Sequence, residues 1–255
     1  MSEPTILITG NDEGISNKDL DTATKRLLKG KQYKDLSTLC VIPTRGMIPA
    51  RCVESWWSLW NPMNNRFQRM IITGMEVGDA YQQAVELLLN HPILKDFKYM
   101  LTLEEDNAPP ADGLLKLLEN ICDCPEPCRE HFVQVAGLYW TKGHGTGQPM
   151  IYGDPKKLLT FHPQVPIPDA LQECNGTGMG FTLYHTGIFR DAVFREMCTP
   201  PNGNAPVFFK TPQDINGTAT QDLYNAGRLR QAGFRIASDN RVRVGHWDQT
   251  SGTMF

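Results

Sequence analysis

The sequence predicts an α/β fold in which helices cover both faces of a parallel sheet. Short apolar runs alternate along the chain with segments of helical periodicity, and this alternation is typical of parallel strands joined by crossover helices. The chain has 255 residues, which is enough to bury a complete hydrophobic core. Its content of 40% hydrophobic and 21% charged residues is ordinary for a globular protein.

Strands and helices are predicted in alternation over the first 140 residues. Continuous apolar runs predict buried strands. These are 38–42 (TLCVI), 69–73 (RMIIT), 99–103 (YMLTL) and 132–140 (FVQVAGLYW). Helical spacing predicts helices at 52–60, 80–90 and 111–121. The last is the clearest, because Pro109 and Pro110 precede it and Asp112 lies near its N-cap.

The second half of the chain differs in composition and in hydrophobic periodicity. Residues 141–178 are rich in Gly, Pro and Thr and are predicted as loops and short strands, while 179–189 returns to strand character. We expect 199–218 to be a long mobile loop. A helix is predicted from Thr220 to the stop at Gly233. One or two short strands are then expected in RIASDNRVRVGHWD.

Residues 1–37 are predicted to form an extension that packs on a main domain of residues 38–255. The run TILIT predicts a strand. The segment SNKDLDTATKRLL predicts a helix, since Ser16 and Asp19 have the spacing of a capping box.

Charge and composition exclude several classes of protein. The net charge of −3 gives no support for a broad nucleic-acid-binding surface. The first residues do not resemble a secretory signal, and no run reaches the roughly 18 apolar residues of a membrane span. We therefore expect a cytoplasmic protein, in the host cytoplasm if it is of phage origin.

Seven cysteines, an odd number, favour a reduced setting over a disulfide framework. Three of them, Cys122, Cys124 and Cys128, lie in the segment CDCPEPC. Three thiolates could ligate zinc, but paired C-x2-C spacing is missing and no fourth ligand is obvious. We expect a proline-bearing surface loop with free thiols.

Three consecutive acids, Glu104, Glu105 and Asp106, follow the strand predicted at 99–103. In an open parallel sheet, ligands bind at the carboxyl ends of the strands. A divalent cation such as Mg²⁺ or Mn²⁺ would offset the repulsion among the acids and bind substrate phosphates. On an extended chain, Glu104 and Asp106 would point the same way and Glu105 the opposite way. The alternative is a solvated loop with ordinary capping carboxylates.

Two distant residues fit the same kind of site. Asp222 falls in the first turn of the helix predicted after Thr220, where a carboxylate can act as a general base or simply interact with the helix dipole. His246 ends an alternating strand and could be a metal ligand or a structural residue.

The order of several segments resembles the GT-A glycosyltransferases, and is closest to the short, stand-alone, family-2-like enzymes of bacteria and phages. After the acid triplet come APPADGLLKLL, AGLYWTKG, GTGMGF, TQDLYNAGRLRQAGF and VGHWD. The resemblance covers about residues 38–248. It implies a single domain with a Rossmann-type mixed sheet flanked by helices, a nucleotide-binding half at about 38–140 and an acceptor-binding half at about 141–255.

The resemblance also implies roles for individual residues. Asp106 would be the metal ligand, with Glu104 a metal or ribose contact and His246 completing the metal shell. Asp222 would deprotonate the acceptor hydroxyl. The donor-binding residues would be Pro43, Thr44, Arg45 and Glu105, with Gly178 and Gly180 in the segment that shapes the sugar and acceptor pocket.

Further contacts are expected from the residue types alone. Lys142 and arginines 228, 230, 235, 241 and 243 could bind the diphosphate or an anionic acceptor, although most of these arginines are more simply solvated surface positions. Tyr139 and Trp140 could form a platform for a sugar, or could be ordinary core at a strand end.

The predicted function is transfer of a sugar from a nucleotide-diphosphate sugar, UDP- or GDP-linked, to an acceptor hydroxyl with Mn²⁺ or Mg²⁺ as cofactor and with inversion. The acceptor could be a glycan, a lipid-linked sugar, a small molecule or a modified nucleic-acid base. This chain departs from the family pattern at Glu104, at Gln221 and at AYQQA near residue 82. Two alternatives are a sugar-nucleotide nucleotidyltransferase and a non-catalytic nucleotide- or carbohydrate-binding relative.

Overall fold

The computed structural model describes residues 5–10, 34–63, 65–141, 147–157, 159–203, 205–212 and 220–255. Its strands are β1 (Thr5–Gly10), β2 (Thr38–Thr44), β3 (Phe67–Thr73), β4 (Tyr99–Leu103), β5 (Asn107–Ala108), β6 (Phe132–Leu138), β7 (Ile151–Tyr152), β8 (Leu171–Cys174), β9 (Gly176–Thr177), β10 (Phe181–His185), β11 (Arg235–Arg243), β12 (Gly245–Asp248) and β13 (Thr253–Met254). Its α-helices are α1 (Ala50–Ser58), α2 (Val77–Asn90), α3 (Gly113–Asn120), α4 (Ala192–Cys198) and α5 (Gln221–Gln231).

One large mixed sheet organises the chain, with strand order β1-β3-β2-β4-β10-β6-β11-β8. β2 is parallel to both β3 and β4, whereas β10 is antiparallel to β4 and β6. From β2 the chain moves to β3 on one side and then to β4 on the other. This reversal creates a crevice at the carboxyl end of β2, which is where open α/β sheets bind ligands.

Two hydrophobic layers cover the sheet, because successive residues of a strand face opposite sides. In β2, Leu39 and Val41 belong to one core cluster and Cys40 and Ile42 to the other. Helices α2 and α5 contribute to the first cluster. Helices α1 and α3 pack on the opposite face. The predicted α/β class is confirmed, with the mixed sheet that the family resemblance implies. The wholly parallel sheet predicted from the alternation of strands and helices is wrong, because β1, β8 and β10 are antiparallel to their neighbours.

Most predicted elements are present with small shifts of their ends. The strand at 99–103 is β4, and the helix predicted from Thr220 ends before Gly233, whose φ of +83° is a helix-stop conformation. Asp112 occupies the N-cap of α3 but makes no capping hydrogen bond, and it pairs instead with Lys116 at 2.8 Å. Helix α4 was missed because its seven residues are too few for a periodic signal.

The strand predicted in TILIT is present as β1, at the end of the strand order of the main sheet. β1 pairs antiparallel with β3 over its whole length. The helix predicted in SNKDLDTATKRLL lies outside the described residues. The division at residue 37 stays a prediction.

The expectation of a mobile loop at 199–218 is wrong for residues 205–212. Phe208 and Phe209 are each 1% exposed and belong to the core. The Gln82 side chain accepts hydrogen bonds from the backbone N–H of Phe208 at 2.8 Å and of Phe209 at 3.4 Å, and it donates to the carbonyl of Pro206 at 3.2 Å. Gln82, in the segment where the chain departs from the glycosyltransferase pattern, therefore anchors this loop.

None of the described helices is both long and apolar enough to cross a bilayer.

Candidate functional site

A pocket of about 440 Å³ opens at the carboxyl ends of β3, β2 and β4. Each of these three neighbouring strands contributes residues at or just beyond its carboxyl end, and Gln221 comes from the first turn of α5. The lining residues are Pro43, Thr44, Arg45, Met75, Glu76, Val77, Glu104, Glu105, Asp106 and Gln221. The pocket therefore lies at the crevice created by the reversal of strand order.

The sequence analysis missed the contribution of Met75, Glu76 and Val77. Glu76 caps α2 by accepting hydrogen bonds from Gly78 N at 2.8 Å and Asp79 N at 3.3 Å. Its other carboxylate oxygen accepts a hydrogen bond from the Thr211 hydroxyl at 2.8 Å. Their position in the sequence could have indicated this contribution, because they come soon after the strand predicted at 69–73, as the acids 104–106 come after the strand predicted at 99–103.

Glu105 joins the ends of β2 and β4. Its carboxylate accepts hydrogen bonds from the Thr44 hydroxyl at 2.6 Å, from Arg45 N at 2.8 Å and from Arg45 Nε at 2.5 Å. The residue is 6% exposed. The Glu105 carboxylate therefore shapes the loop that carries Thr44 and Arg45, and its predicted donor-binding role stays a prediction.

The three acids do not lie on an extended segment. The prediction that Glu104 and Asp106 point one way and Glu105 the other assumed an extended backbone, and that assumption is wrong. The N–H of Asn107 donates to the Glu104 carbonyl at 3.0 Å, so residues 104–107 form a β-turn. Both Glu104 and Asp106 nevertheless line the pocket. Glu104 N donates to the carbonyl of Gly180 at 3.1 Å, which ties the turn to the sheet.

A short strand pairing brings His246 to Asp106 from 140 positions further along the chain. β12 is antiparallel to β5, with His246 opposite Asn107. The Trp247 N–H also donates to the Asp106 carbonyl at 2.7 Å. As a result, His246 Nε2 lies 3.5 Å from Asp106 Oδ2.

The hydrogen bond of His246 fixes which ring nitrogen faces Asp106. Nδ1 lies 2.6 Å from the Trp140 carbonyl oxygen, which can only accept, so Nδ1 carries the proton. In a neutral imidazole this leaves a lone pair on Nε2. Metal-binding histidines commonly have this arrangement. Two ligands of one cation with bonds of about 2.1 Å lie roughly 3.0–3.5 Å apart, so the pair fits a divalent ion.

Glu104, Asp106 and His246 do not form a compact group of metal-binding atoms by themselves. Across the described ranges, the compact group is Cys122, Cys124, Cys128 and His131. The acidic site thus offers a pair of ligands, Asp106 and His246, rather than the group of three that the resemblance implied. A Mg²⁺-like ion that keeps water and substrate phosphate ligands needs no more than such a pair.

Asp222 lies in the first turn of α5 and is 5% exposed. One carboxylate oxygen accepts hydrogen bonds from the Thr220 hydroxyl and from Leu223 N, the latter at 2.8 Å. Burial raises the pKa of Asp222 above its usual 3.8, although these hydrogen bonds oppose the shift. A carboxylate with a raised pKa is a stronger base.

The charges of Asp222 and Glu104 both raise the pKa of two buried tyrosines. Burial, and then the negative charges of Asp222 and Glu104, raise the pKa of Tyr184 well above 10.0. The same two carboxylates contribute to the raised pKa of Tyr139 after burial.

The predicted aromatic platform is not open at Tyr139, which is 3% exposed. Its hydroxyl accepts a hydrogen bond from Gly180 N at 3.1 Å. A side chain at Gly178 would lie 2.1 Å from that hydroxyl, and one at Gly180 would lie 2.5 Å from the buried Asn107 amide. These positions therefore favour the core interpretation of Tyr139 and a packing role for both glycines. Trp140 is half-buried and supplies the carbonyl that orients His246.

The predicted basic residues divide into two groups. Lys142 lies outside the described residues. Each of the five arginines contacts another side chain rather than the pocket. Arg230 and Arg235 pair with Glu173, Arg241 with Asp239 and Glu119, Arg243 with Asp169, and Arg228 lies over Tyr224. Arg45 is the basic residue that lines the pocket, and its side chain is 74% exposed.

Comparisons with known proteins agree with the fold class. No protein-family model and no curated protein matches the chain. Among solved structures it is similar to A197 from STIV, with a TM-score of 0.53, 15% identity, and coverage of 86% of this chain and 93% of A197. It also matches GalNAc-T7, solved with UDP, GalNAc and Mn²⁺, with a TM-score of 0.48, 11% identity, and coverage of 83% of this chain and 44% of that one. The first likeness concerns the fold alone, and the second score is too low to support an inference. The predicted α/β fold class, a mixed sheet flanked by helices, is consistent with the likeness to A197.

Proposed function

We propose that this chain is a metal-dependent glycosyltransferase of the short, family-2-like type, which transfers a sugar from a nucleotide-diphosphate sugar to an acceptor hydroxyl. The observation that carries the proposal is the approach of His246 to Asp106 at 3.5 Å, beside a pocket at the reversal of strand order. Such a pocket is the usual nucleotide site of this kind of sheet.

The donor, UDP- or GDP-linked, would occupy the pocket with its base and ribose against residues 43–45. Thr44 and Arg45 are held there by Glu105. The exposed guanidinium of Arg45 is suited to a phosphate, because it presents several donors at a fixed geometry.

Asp106 and His246 would hold Mn²⁺ or Mg²⁺, with Glu104 close by on the same turn. When bound, the cation stabilises the negative charge of the departing diphosphate. The carboxylate and neutral imidazole are donors that suit these ions.

Asp222 would accept the proton of the acceptor hydroxyl. The bond from the anomeric carbon to the diphosphate oxygen breaks and its electron pair leaves with the diphosphate. The acceptor oxygen forms the new bond from the opposite face and loses its proton to Asp222, which gives inversion. Burial raises the pKa of Asp222, which suits it to this transfer.

A second candidate is a non-catalytic nucleotide- or carbohydrate-binding protein. It is favoured by Gln221, which lines the pocket where relatives carry an acid, and by the burial of Asp222 behind it. The two candidates share the donor pocket and differ in turnover. Asp222→Asn should lower turnover by about 10²–10⁴-fold in an enzyme while leaving nucleotide binding intact. Asp79→Asn, in the exposed first turn of α2, is the matched control and should retain full turnover.

Thermal denaturation with UDP, GDP and their sugar conjugates tests the donor and metal assignments together. At 100 times the Kd, a nucleotide should raise the Tm by roughly 5–10 °C, and only with Mn²⁺ or Mg²⁺ present. His246→Ala should remove the metal-dependent part of the shift. His162→Ala, an exposed histidine remote from the pocket lining, should keep it. Equal nucleotide shifts with and without the cation would contradict the proposal.

A further inference from the structure

The connection between α3 and β6 gathers four side chains of metal-binding type. These are Cys122, Cys124, Cys128 and His131, and their ligand atoms all lie within 4.8 Å of one another. The sequence analysis identified the three thiols but no obvious fourth ligand, and the structure supplies one in His131. His131 comes three residues after Cys128 and directly before β6. The resulting pattern is C-x-C-x3-C-x2-H.

The distances within the cluster fit a tetrahedral ion. Cys122 Sγ and Cys128 Sγ are 3.8 Å apart. Two sulfurs bound to one zinc at about 2.3 Å in tetrahedral geometry are also about 3.8 Å apart. A disulfide would require about 2.05 Å, and all the cysteines of the cluster are free. Cys128 Sγ and His131 Nδ1 are 2.9 Å apart, which is a hydrogen-bond distance that a small turn of the exposed imidazole would widen.

The backbone of this loop is held in place independently of any ion. Cys122 N donates to the Phe132 carbonyl at 2.7 Å, and the Tyr99 hydroxyl donates to the Cys122 carbonyl at 3.1 Å. The carbonyl of Cys124 accepts a hydrogen bond from His185 Nε2 at 3.0 Å. The thiols are therefore presented by a fixed loop, so that little ordering is needed when they bind an ion.

The cluster is separate from the pocket. It lies beside Tyr99, the first residue of β4, whereas Glu104–Asp106 follow the last residue of the same strand. The two sites thus lie at opposite ends of β4, one beside its first residue and one just after its last. Their ligands also differ in kind, since sulfur and imidazole select zinc whereas carboxylates select Mg²⁺ or Mn²⁺.

We propose that Cys122, Cys124, Cys128 and His131 bind one Zn²⁺ that fixes the connection between α3 and β6. Each thiol releases its proton to solvent as its sulfur binds, and neutral His131 binds through Nδ1. Four protein ligands close the coordination shell, which is the mark of a structural rather than a catalytic zinc site. The complex of three thiolates and Zn²⁺ carries one net negative charge. Lys98, whose ammonium group lies 2.5 Å from the Asp123 carbonyl, is close enough to balance it.

Metal content and cobalt spectroscopy of the full chain test the proposal. We expect about one zinc per chain after expression with zinc and purification with reductant. Replacement by Co²⁺ should give thiolate-to-cobalt charge-transfer absorption and the intense visible bands of a tetrahedral ion. A strong zinc chelator should abolish these bands and lower the Tm.

Variants separate this site from the rest of the protein. Cys128→Ser and His131→Ala should each lower the zinc affinity by at least tenfold. Cys198→Ser, a buried cysteine of α4 outside the cluster, and Asp106→Asn, in the pocket, should retain one zinc per chain. Because the cobalt spectrum is measured on the wild-type chain, the test does not depend on the folding of any variant.

Three results would overturn the assignment. The first is a wild-type chain that binds no zinc at micromolar concentration. The second is a Co²⁺ complex without charge-transfer absorption. The third is a Cys122–Cys128 disulfide, found by mass spectrometry in place of metal. A chain that binds no zinc would leave the glycosyltransferase proposal untouched. That proposal is tested by the Tm shift with nucleotide and Mn²⁺, which concerns the pocket at the other end of β4.

Discussion

Replacing Glu105 with alanine should destabilise the whole domain, although the residue stands at the rim of a pocket. Its carboxylate accepts hydrogen bonds from the Thr44 hydroxyl at 2.6 Å and from Arg45 N at 2.8 Å. Glu105→Ala leaves the buried Thr44 hydroxyl and the part-buried Arg45 N–H without this partner. The loss matters because a hydrogen bond to a charged acceptor contributes more than one between neutral groups.

The magnitude follows from the burial of each partner. Hydrogen bonds to charged groups contribute about 1.5–3 kcal/mol each. The ion pair with Arg45 adds under about 1 kcal/mol, because the Arg45 side chain is 74% exposed. Water entering from the pocket would replace part of the lost bonding. We expect the free energy of unfolding to fall by about 2–4 kcal/mol and the Tm by roughly 5–12 °C.

Urea denaturation followed by tryptophan fluorescence and far-UV circular dichroism measures this loss. The control is Glu54→Ala, an exposed acid of α1, which should change stability by no more than about 0.5 kcal/mol. If Glu105→Ala and Glu54→Ala have the same stability within that margin, Glu105 does not join the strand ends as described.

Four further substitutions test other parts of the fold and site by the same denaturation assay. Gly180→Ala should lower the free energy of unfolding by about 1–3 kcal/mol, because the new Cβ would lie 2.5 Å from the Asn107 amide. Gly227→Ala, within α5, should raise it by up to about 1 kcal/mol, because the new Cβ would lie 3.5 Å from Phe161. Equal effects of the two substitutions would contradict the packing argument. Phe209→Ala should cost about 3–5 kcal/mol, while a loss below about 0.5 kcal/mol would restore the mobile-loop prediction. Asp222 has a raised pKa, so its contribution to stability is present below its usual pKa of 3.8 and is lost as pH rises through the folded-state pKa. Asp222→Asn should therefore be as stable as the wild type or more stable at pH 7, with the difference vanishing in acid, and a variant less stable at pH 7 would refute this.

The large elements could be predicted because their sequence signals are local. The five buried residues of β4, four of them apolar, and the spaced leucines of α3 pack against neighbouring elements in any topology of this class. β5 and α4 were out of reach, since two and seven residues give no usable period. The anchoring of residues 205–212 was also hidden, because it depends on Gln82, more than 120 positions away.

The sequence predicted which strand ends form the site, but it did not predict the directions of the side chains there. Position after a buried strand placed Glu104–Asp106 at the pocket, and the same rule would have added Glu76. The turn at 104–107 sends Glu105 back to Thr44, which an extended chain would not. The approach of His246 to Asp106 came from the family resemblance, since no local pattern relates two residues so far apart. His131 was missed because it lies outside the segment CDCPEPC, directly before the strand predicted at 132–140.

The hairpin of β12 and β13 sets a limit on how long a cation could stay between Asp106 and His246. His246 is held by its pairing with β5 and by two backbone hydrogen bonds to Phe255, each of 3.0 Å. Short pairings of this kind open locally at far less free energy than the sheet itself unfolds. Each such fluctuation would withdraw the imidazole and leave the carboxylate behind, so ion residence time should track amide exchange at His246 and Phe255 rather than the melting of the domain.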